Sequence, residues 1–313
     1  MKAFVFPGQG SQSVGMGKEL AEAFPVAKQV FQEVDDALSQ NLSKMMFEGP
    51  DTELNLTENT QPALMAVSVA VARILQQANG GLLTPSVCKF VAGHSLGEYS
   101  ALTAAGSFNL ADAARLLKTR GQAMQKAVPV GIGAMAAILG LEMPDVQAIV
   151  KEASGADIVA AANDNSFGQI VISGHKAAVD KAIALATAKG AKRAILLPVS
   201  APFHCALMQP AADVMATALG DVQINAPSVA LVANVIAEEV TDPARIRQLL
   251  VEQVTGMVRW RESVLYMKKQ GVTELIELGA GKVLNGLTKR IDADLTGRSV
   301  GTAKDIEEFA ATL

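Results

Sequence analysis

The chain has 313 residues, a formal net charge of −4 at pH 7 and 50% hydrophobic residues. This length can bury a large core and fits one large domain or two unequal ones. The basic residues are interspersed with acidic ones and form no basic block, so nucleic acid is not an expected partner.

The sequence also argues against a membrane, a metal site and a disulfide framework. Residues 3–6 are too short for the apolar core of a signal peptide. The apolar stretch at 63–72 falls short of the roughly 20 residues of a membrane-spanning helix. Cys88 and Cys205 are the only cysteines and form no C-x-x-C pair. We therefore expect a soluble, cytoplasmic protein.

Strand-like runs alternate with helical segments along the first part of the chain. Strands are predicted at 3–6 and 90–93, and helices at 18–38, 61–76 and, capped by Asn109, 109–126. The segment at 61–76 is apolar on nearly all sides and should be buried. This alternation indicates a mostly parallel sheet in an α/β core.

The order of elements changes at residues 131–198. It reads strand, helix, strand, strand, helix, strand, at 134–139, 143–153, 157–162, 169–173, 176–189 and 193–198. This βαββαβ order is typical of a ferredoxin-like unit. We predict that 131–198 form a small inserted subdomain, whereas 1–130 and 199–313 form an α/β-hydrolase-like large subdomain.

The α/β pattern resumes after the insertion. Strands are predicted at 229–233, 274–278 and 298–301, and helices at 243–254, 259–269, from Gly281 onward and at the end of the chain. No internal repeat or low-complexity segment interrupts it.

The pentapeptide Gly93-His94-Ser95-Leu96-Gly97 lies between a predicted strand and a predicted helix. It fits the G-x-S-x-G pattern, in which a serine occupies a sharp strand-to-helix turn. There the helix N-terminus favours developing negative charge. A simpler interpretation, in which Ser95 is an N-cap beside a tight turn, remains open from the pentapeptide alone.

A nucleophilic serine requires a base, and the chain has three histidines. His94 adjoins the serine and should point away from it, and His175 lies in a turn of the inserted unit. His204 follows the last predicted strand of that unit, in the loop at 200–205, and is the best candidate. Cys205 is interpreted as a packing residue rather than a rival nucleophile.

A glycine-rich loop at 7–17 follows the first predicted strand. It departs from both the G-x-G-x-x-G and the Walker patterns, so a phosphate loop is not predicted. Gln9 and the backbone amides of this loop are instead candidates for an oxyanion hole. The alternative is an ordinary turn with additional glycines.

Together these segments resemble the malonyl-CoA:acyl carrier protein transacylase family. The resemblance runs in order over essentially the whole chain and rests on PGQGSQ at 7–12, GHSLGEYSAL at 93–102, Arg120 in LLKTRGQAM, APFH ending at His204, VEQVTGMVRW and ELGAGKVL. No departure is found at the matching catalytic positions.

The resemblance implies a ping-pong acyl transfer. Ser95 would attack the thioester of malonyl-CoA, with His204 as the base, and the thiol of acyl carrier protein would then take the malonyl group. The backbone N–H of Leu96 and a donor from Gln9 would meet the oxyanion. The resemblance also implies that a main-chain carbonyl at Gln253 orients the imidazole in place of a carboxylate.

The resemblance further implies residues that bind the acyl group. Arg120 would bind the malonyl carboxylate, although a solvated helix face is the usual place for a single arginine. Phe203 resembles the malonyl-preferring pattern of related polyketide acyltransferase domains. Gln9 is a further substrate-binding candidate. Asn163 and Asn165 match positions that line the cleft and are alternatively turn residues.

Two other functions remain open at this point. A serine thioesterase or esterase would use the same nucleophile and base with water as the acceptor, and a scaffold would retain the fold without catalysis. The transferase needs no cofactor, since malonyl-CoA and acyl carrier protein are its substrates. A monomer is expected, with an acidic carrier protein docking on Lys189, Lys192 and Arg193 or on Lys268, Lys269 and Lys282.

Overall fold

The computed structural model describes residues 1–81, 83–199 and 201–313. Leu82 and Ser200 lie outside the described residues, so the start of the predicted loop at 200–205 is not covered. Within the described ranges the chain forms a six-stranded sheet and a separate four-stranded sheet, both accompanied by helices.

The six-stranded sheet has the order β10-β9-β1-β2-β7-β8. Its strands are β1 (Lys2–Phe6), β2 (Phe90–Gly93), β7 (Leu231–Val232), β8 (Glu239–Val240), β9 (Glu274–Leu278) and β10 (Thr296–Val300). All neighbouring strands with a described ladder run parallel except the antiparallel pair of β7 and β8.

Helices complete this part of the molecule. They are α1 (Lys18–Ala23), α2 (Pro25–Leu38), α3 (Leu42–Glu48), α4 (Asp51–Leu54), α5 (Thr57–Ala78), α6 (Gly97–Ala104), α7 (Leu110–Lys126), α10 (Gln209–Gly220), α11 (Pro243–Thr255), α12 (Trp260–Lys269), α13 (Val283–Ile291) and α14 (Ala303–Ala310). A 3₁₀ turn spans Ala206–Met208.

The sheet is covered on both faces because its side chains alternate between two apolar clusters. Phe4 and Phe6 of β1 belong to one cluster, whereas Ala3 and Val5 belong to the other. A strand buried on both faces has to be apolar throughout, as expected for a parallel sheet between helical layers.

The four-stranded sheet has the order β4-β5-β3-β6, and its neighbouring strands are antiparallel. Its elements in chain order are β3 (Gly133–Leu139), α8 (Met143–Ser154), β4 (Val159–Ser166), β5 (Gln169–His175), α9 (Lys176–Ala188) and β6 (Arg193–Leu196). The two helices pack on the sheet around an apolar cluster of their own.

Main-chain hydrogen bonds and an ion pair join β4 to α12 and to the segment between α11 and α12. The N–H of Val258 donates to the carbonyl of Ala162 at 2.8 Å, and the N–H of Asp164 donates to the carbonyl of Val258 at 2.9 Å. Arg261 of α12 also contacts both carboxylate oxygens of Asp164, with its Nη2 at 2.8 Å from Oδ2. The edge strand of the small sheet is therefore fixed to the larger unit.

Some predicted elements differ from the structure. The helix predicted at 18–38 is two helices, because Phe24 is extended and Pro25 begins the second one. The helix at Gln209–Gly220 was not predicted. None of the described helices is long and apolar enough to cross a membrane.

Candidate active site

Ser95 lies on a sharp turn between β2 and α6, with a positive φ of 53°. The flanking glycines permit this turn, since an added Cβ at Gly97 would lie 2.3 Å from the carbonyl oxygen of Phe6 in β1. One at Gly93 would lie 1.9 Å from the main chain of Gly97. The backbone of the G-x-S-x-G motif therefore packs too closely for any side chain at these two positions.

The hydroxyl of Ser95 contacts the ring of His204. Oγ lies 2.7 Å from Nε2, and the other ring nitrogen, Nδ1, lies 2.9 Å from the main-chain carbonyl of Gln253. Because a carbonyl only accepts, Nδ1 carries the proton and Nε2 is free to accept the serine proton. The pair has the geometry of a nucleophile and its general base.

His204 is 4% exposed. Burial, together with the nearby positive charge of Arg120, lowers the pKa of His204 from 6.5 to about 3. The imidazole is therefore neutral at physiological pH, as a base must be before it accepts a proton.

Arg120 of α7 is almost completely buried, at 1% exposed. Its guanidinium donates to the side-chain oxygens of Gln61 at 2.8 Å and Gln253 at 2.9 Å, and to Ser95 Oγ at 3.1 Å. Among the described residues all of these hydrogen-bond partners are neutral, and Nε has none. A buried cation beside the nucleophile is thus available to an anionic substrate group.

A buried network that sequence reasoning missed lies beneath the serine. Asn234 accepts the N–H of Ser95 at 2.9 Å and donates to the carbonyl of Gly93 at 2.7 Å. The side-chain nitrogen of Gln253 donates to the carbonyl of Ser95 at 3.0 Å and to Glu98 Oε2 at 2.7 Å. Burial raises the pKa of Glu98 to about 7.

No local signal in the sequence identifies this network as one unit. Glu98 lies inside the quoted motif, but Gln61 and Asn234 lie on a distant helix and after a two-residue strand. Only the folded chain brings them together. The one signal in the sequence that could have indicated the network is that these residues are polar within otherwise apolar segments.

The predicted oxyanion donors, Leu96 and Gln9, lie in the same turn and in the loop beside it. In the described part of the chain, no hydrogen bond uses the backbone N–H of Leu96, which immediately precedes α6. The side chain of Gln9 is exposed, and Gly8 before it lies directly against His94. These positions are consistent with the predicted donors, whose role stays a prediction.

The remaining predicted residues differ in how closely they are connected to the serine turn. Asn165 of β4 contacts His94 through Oδ1, which lies 2.8 Å from Nε2. Through this contact the small sheet supports the serine turn. Asn163 is buried on β4 and Phe203 is buried directly before His204. His175 is remote from the serine, since its Nδ1 accepts the N–H of Ile158.

No group of three or more His, Cys, Asp or Glu residues within the described ranges is arranged to hold a metal ion. The polar groups that converge on Ser95 are instead the imidazole, the guanidinium and the amides described above. Such an arrangement suits the transfer of an acyl group through a serine ester.

Comparison with known proteins agrees with this chemistry. A family model described as an acyl transferase domain matches residues 3–290. The malonyl CoA-acyl carrier protein transacylase of Escherichia coli strain K12 is 50% identical over 298 residues, which are 95% of each chain.

Solved structures agree as well. An acyl-carrier-protein-S-malonyltransferase from Bartonella henselae superposes with a TM-score of 0.96 at 56% identity, covering 99% of this chain and 98% of that one. A malonyl-transacylase in complex with a type II PKS acyl-carrier protein has a TM-score of 0.95 at 45% identity, covering 100% and 99%.

The fold and the serine site together define an acyl transferase, and the chain belongs to the acyl transferase family. Within that family it falls among the malonyl CoA-acyl carrier protein transacylases, as the resemblance of its motifs predicted.

Proposed function

We propose that the chain transfers a malonyl group from malonyl-CoA to the phosphopantetheine thiol of an acyl carrier protein. The transfer is a ping-pong reaction through an O-malonyl ester of Ser95. The observation that carries the proposal is the buried guanidinium of Arg120, 3.1 Å from the nucleophilic oxygen and hydrogen-bonded only to neutral groups in the described chain.

In the first half-reaction, Ser95 Oγ forms a bond to the thioester carbon and its proton passes to His204 Nε2. The carbon–sulfur bond then breaks and the imidazolium returns the proton to the departing CoA sulfur. The Gln253 carbonyl, which accepts from Nδ1, holds the ring in one tautomer throughout.

In the second half-reaction, the carrier thiol gives its proton to His204 and its sulfur attacks the ester carbon. The carbon–oxygen bond breaks, and the proton returns to Ser95 Oγ. The oxyanion of each step is met by the N–H of Leu96 and by Gln9, and one such donor contributes about 3 to 4 kcal/mol of transition-state stabilisation. No cofactor takes part in these steps.

Arg120 selects the malonyl group in this mechanism. Its guanidinium binds the free carboxylate of the acyl chain. The buried positive charge gains an anionic partner only when that carboxylate is present, so an uncharged acyl chain binds less well. In the proposal, the acyl and pantetheine side of the site is lined by Asn163, Asn165, Phe203 and Gln9.

We assign residues 131–198 to a ferredoxin-like subdomain and residues 1–130 and 199–313 to an α/β-hydrolase-like subdomain. The order β4-β5-β3-β6 with antiparallel neighbours supports the first assignment. The parallel strands and the serine turn after β2 support the second.

A carrier protein docks on the exposed residues Lys189, Lys192 and Arg193 in this proposal. The alternative group is less available, because Lys268 is paired with Asp292 and Asp294. A structural neighbour in complex with an acyl-carrier protein supports a partner of this class.

The test is intact-mass spectrometry after brief mixing with malonyl-CoA or acetyl-CoA. We expect one malonyl adduct on the wild-type chain, none on Ser95→Ala and a loss of malonyl preference in Arg120→Ala. Arg115→Ala is the matched control, because Arg115 lies on the same helix but is exposed beside Asp112. CoA release without an adduct or a transferred malonyl group would indicate a hydrolase instead.

A further inference from the structure

The side-chain amide of Gln253 has a defined orientation. Its nitrogen donates to the carbonyl of Ser95 at 3.0 Å and to Glu98 Oε2 at 2.7 Å, while its oxygen accepts from Arg120 at 2.9 Å. A carbonyl and a carboxylate both require a donor, and a guanidinium requires an acceptor. The reversed amide would break all three hydrogen bonds.

Glu98 makes the shortest of these contacts with the amide. It is 1% exposed, and the same oxygen, Oε2, accepts the N–H of Asn234 at 3.3 Å. No described hydrogen bond joins Glu98 directly to Arg120. Glu98 therefore reaches the guanidinium through the amide of Gln253.

We propose that Glu98 is a specificity-determining positioning residue, which holds the Gln253 amide so that the Arg120 guanidinium faces the carboxylate of the acyl group. The inference rests on the proposed function, because it concerns the group that distinguishes malonyl from uncharged acyl chains. The carboxylate of Glu98 makes no described hydrogen bond to Ser95; the two residues are joined only through the main chain, where the backbone N–H of Glu98 donates to the carbonyl of Ser95 at 3.0 Å.

The acceptor oxygen of Glu98, rather than its charge, supplies this effect. A negative charge near Arg120 would weaken the attraction for an incoming carboxylate, so charge alone predicts the opposite selectivity. Burial raises the pKa of Glu98 to about 7, and a proton on Oε1 would leave Oε2 free to accept in either state. A glutamine at this position retains an acceptor without the charge.

The experiment compares Glu98→Met, which removes the acceptor, with Glu98→Gln, which retains one. The ratio of kcat/KM for malonyl-CoA to that for acetyl-CoA is measured for each from the rate of CoA release with acyl carrier protein as the acceptor. We expect the ratio to fall roughly tenfold or more in Glu98→Met, through an increased KM for malonyl-CoA, and to stay near wild type in Glu98→Gln.

Glu277→Met is the matched control for stability. Glu277 is equally buried and accepts two main-chain N–H groups of α13, but it lies outside the serine site. We expect Glu277→Met to leave the ratio unchanged. Thermal unfolding of all variants separates an effect on folding from an effect on selectivity.

An unchanged or increased ratio in folded Glu98→Met would overturn the inference, as would an equal loss in Glu98→Gln. If Glu98→Met does not fold, Gln253→Met removes the amide but keeps the carbonyl for His204, and an unchanged ratio there overturns the inference. Absence of a malonyl adduct on the wild-type chain would overturn the proposed function first, so the two failures are distinguishable.

Discussion

At the scale of single residues, the site depends on side chains whose charge is decided by burial. His204 is neutral because burial lowers its pKa, whereas the guanidinium of Arg120 is hydrogen-bonded to two amide oxygens and a hydroxyl rather than to a carboxylate. A neutral base and a buried cation can therefore lie beside the same serine oxygen without repelling each other.

The lowered pKa of His204 predicts that the acylation rate does not fall on the acid side of its pH profile. The base is lost only by protonation, and its folded-state pKa lies near 3 instead of 6.5, so lowering the pH to 5.5 should leave the acylation rate unchanged. An ordinary imidazole would lose roughly tenfold at one pH unit below its pKa. Stopped-flow measurement of CoA release between pH 5 and 8 checks this.

Glu98→Gln is the control for this profile, because it removes a buried group of the site whose pKa lies near neutrality. The prediction would be contradicted by an inflection near pH 6.5 that persists in Glu98→Gln. In that case the imidazole would be protonated at ordinary pH despite its burial.

At the scale of elements, the carboxyl ends of β1 and β2 hold the serine turn against the first loop of the chain. Their register places Phe6 opposite Gly93, so the main chain at the start of α6 passes directly over the end of β1. This contact leaves no room for a methyl group. The position of Ser95 is consequently set by backbone packing as well as by hydrogen bonds.

Two glycine-to-alanine changes test this packing. Gly97→Ala should destabilise the fold by about 1 to 3 kcal/mol through overpacking and should reduce acylation. Gly286→Ala, in the middle of α13 where an added Cβ meets nothing within 4 Å, should stabilise it by about 0.5 to 1 kcal/mol. Urea unfolding measures both, and equal effects would refute the packing argument.

The sequence predicted the elements that carry strong periodicity or a recognisable motif. The strand at 274–278 and the helix capped by Asn109 agree with the structure. The helix at 209–220 was missed, and the strand at 229–233 shrank to Leu231–Val232, because short elements depend on tertiary contacts more than on local pattern.

The residues of the candidate site also divide into those with a local signal in the sequence and those without one. Ser95 and His204 were selected because the G-x-S-x-G motif and the small number of histidines indicate them, and Arg120 was selected through the family resemblance. Glu98 and Asn234 were not selected, since a buried network joins positions that are far apart in the sequence. Local reasoning also assigned a single arginine by default to a solvated face, whereas Arg120 is buried.

At the scale of the whole molecule, the two sheets are joined at β4. The hydrogen bonds between β4 and Val258 and the bidentate pair of Arg261 with Asp164 hold the edge of the small sheet against α12 and the residues before it. Asp164 is 1% exposed, and burial raises its pKa even with Arg261 beside it. Arg261 therefore offsets part of the effect of burial on the pKa of this carboxyl.

Arg261→Met should lower the free energy of unfolding by up to about 3 to 5 kcal/mol. The loss should be smaller at pH 5 than at pH 8, because removing Arg261 raises the folded-state pKa of Asp164 further, and the added cost of ionising that carboxyl grows as the pH rises. Denaturant unfolding at both pH values measures it.

Arg245→Met is the matched control. Arg245 and Glu252 form a pair whose side chains are 38% and 42% exposed, so its loss should cost less than about 1 kcal/mol at either pH. An equal cost for the two variants would show that the ion pair at β4 contributes no more than a surface pair.

The amides of Gln61 and Gln253 that hold Arg120 have a consequence for redesign. Replacing Arg120 alone by an apolar residue, to accept neutral acyl chains, would leave two amide oxygens without donors in a buried space next to the ester. Water is the simplest donor to fill such a space, and there it can hydrolyse the acyl group. An enzyme engineered for neutral acyl chains therefore needs a new donor for these two amide oxygens together with the change at the arginine.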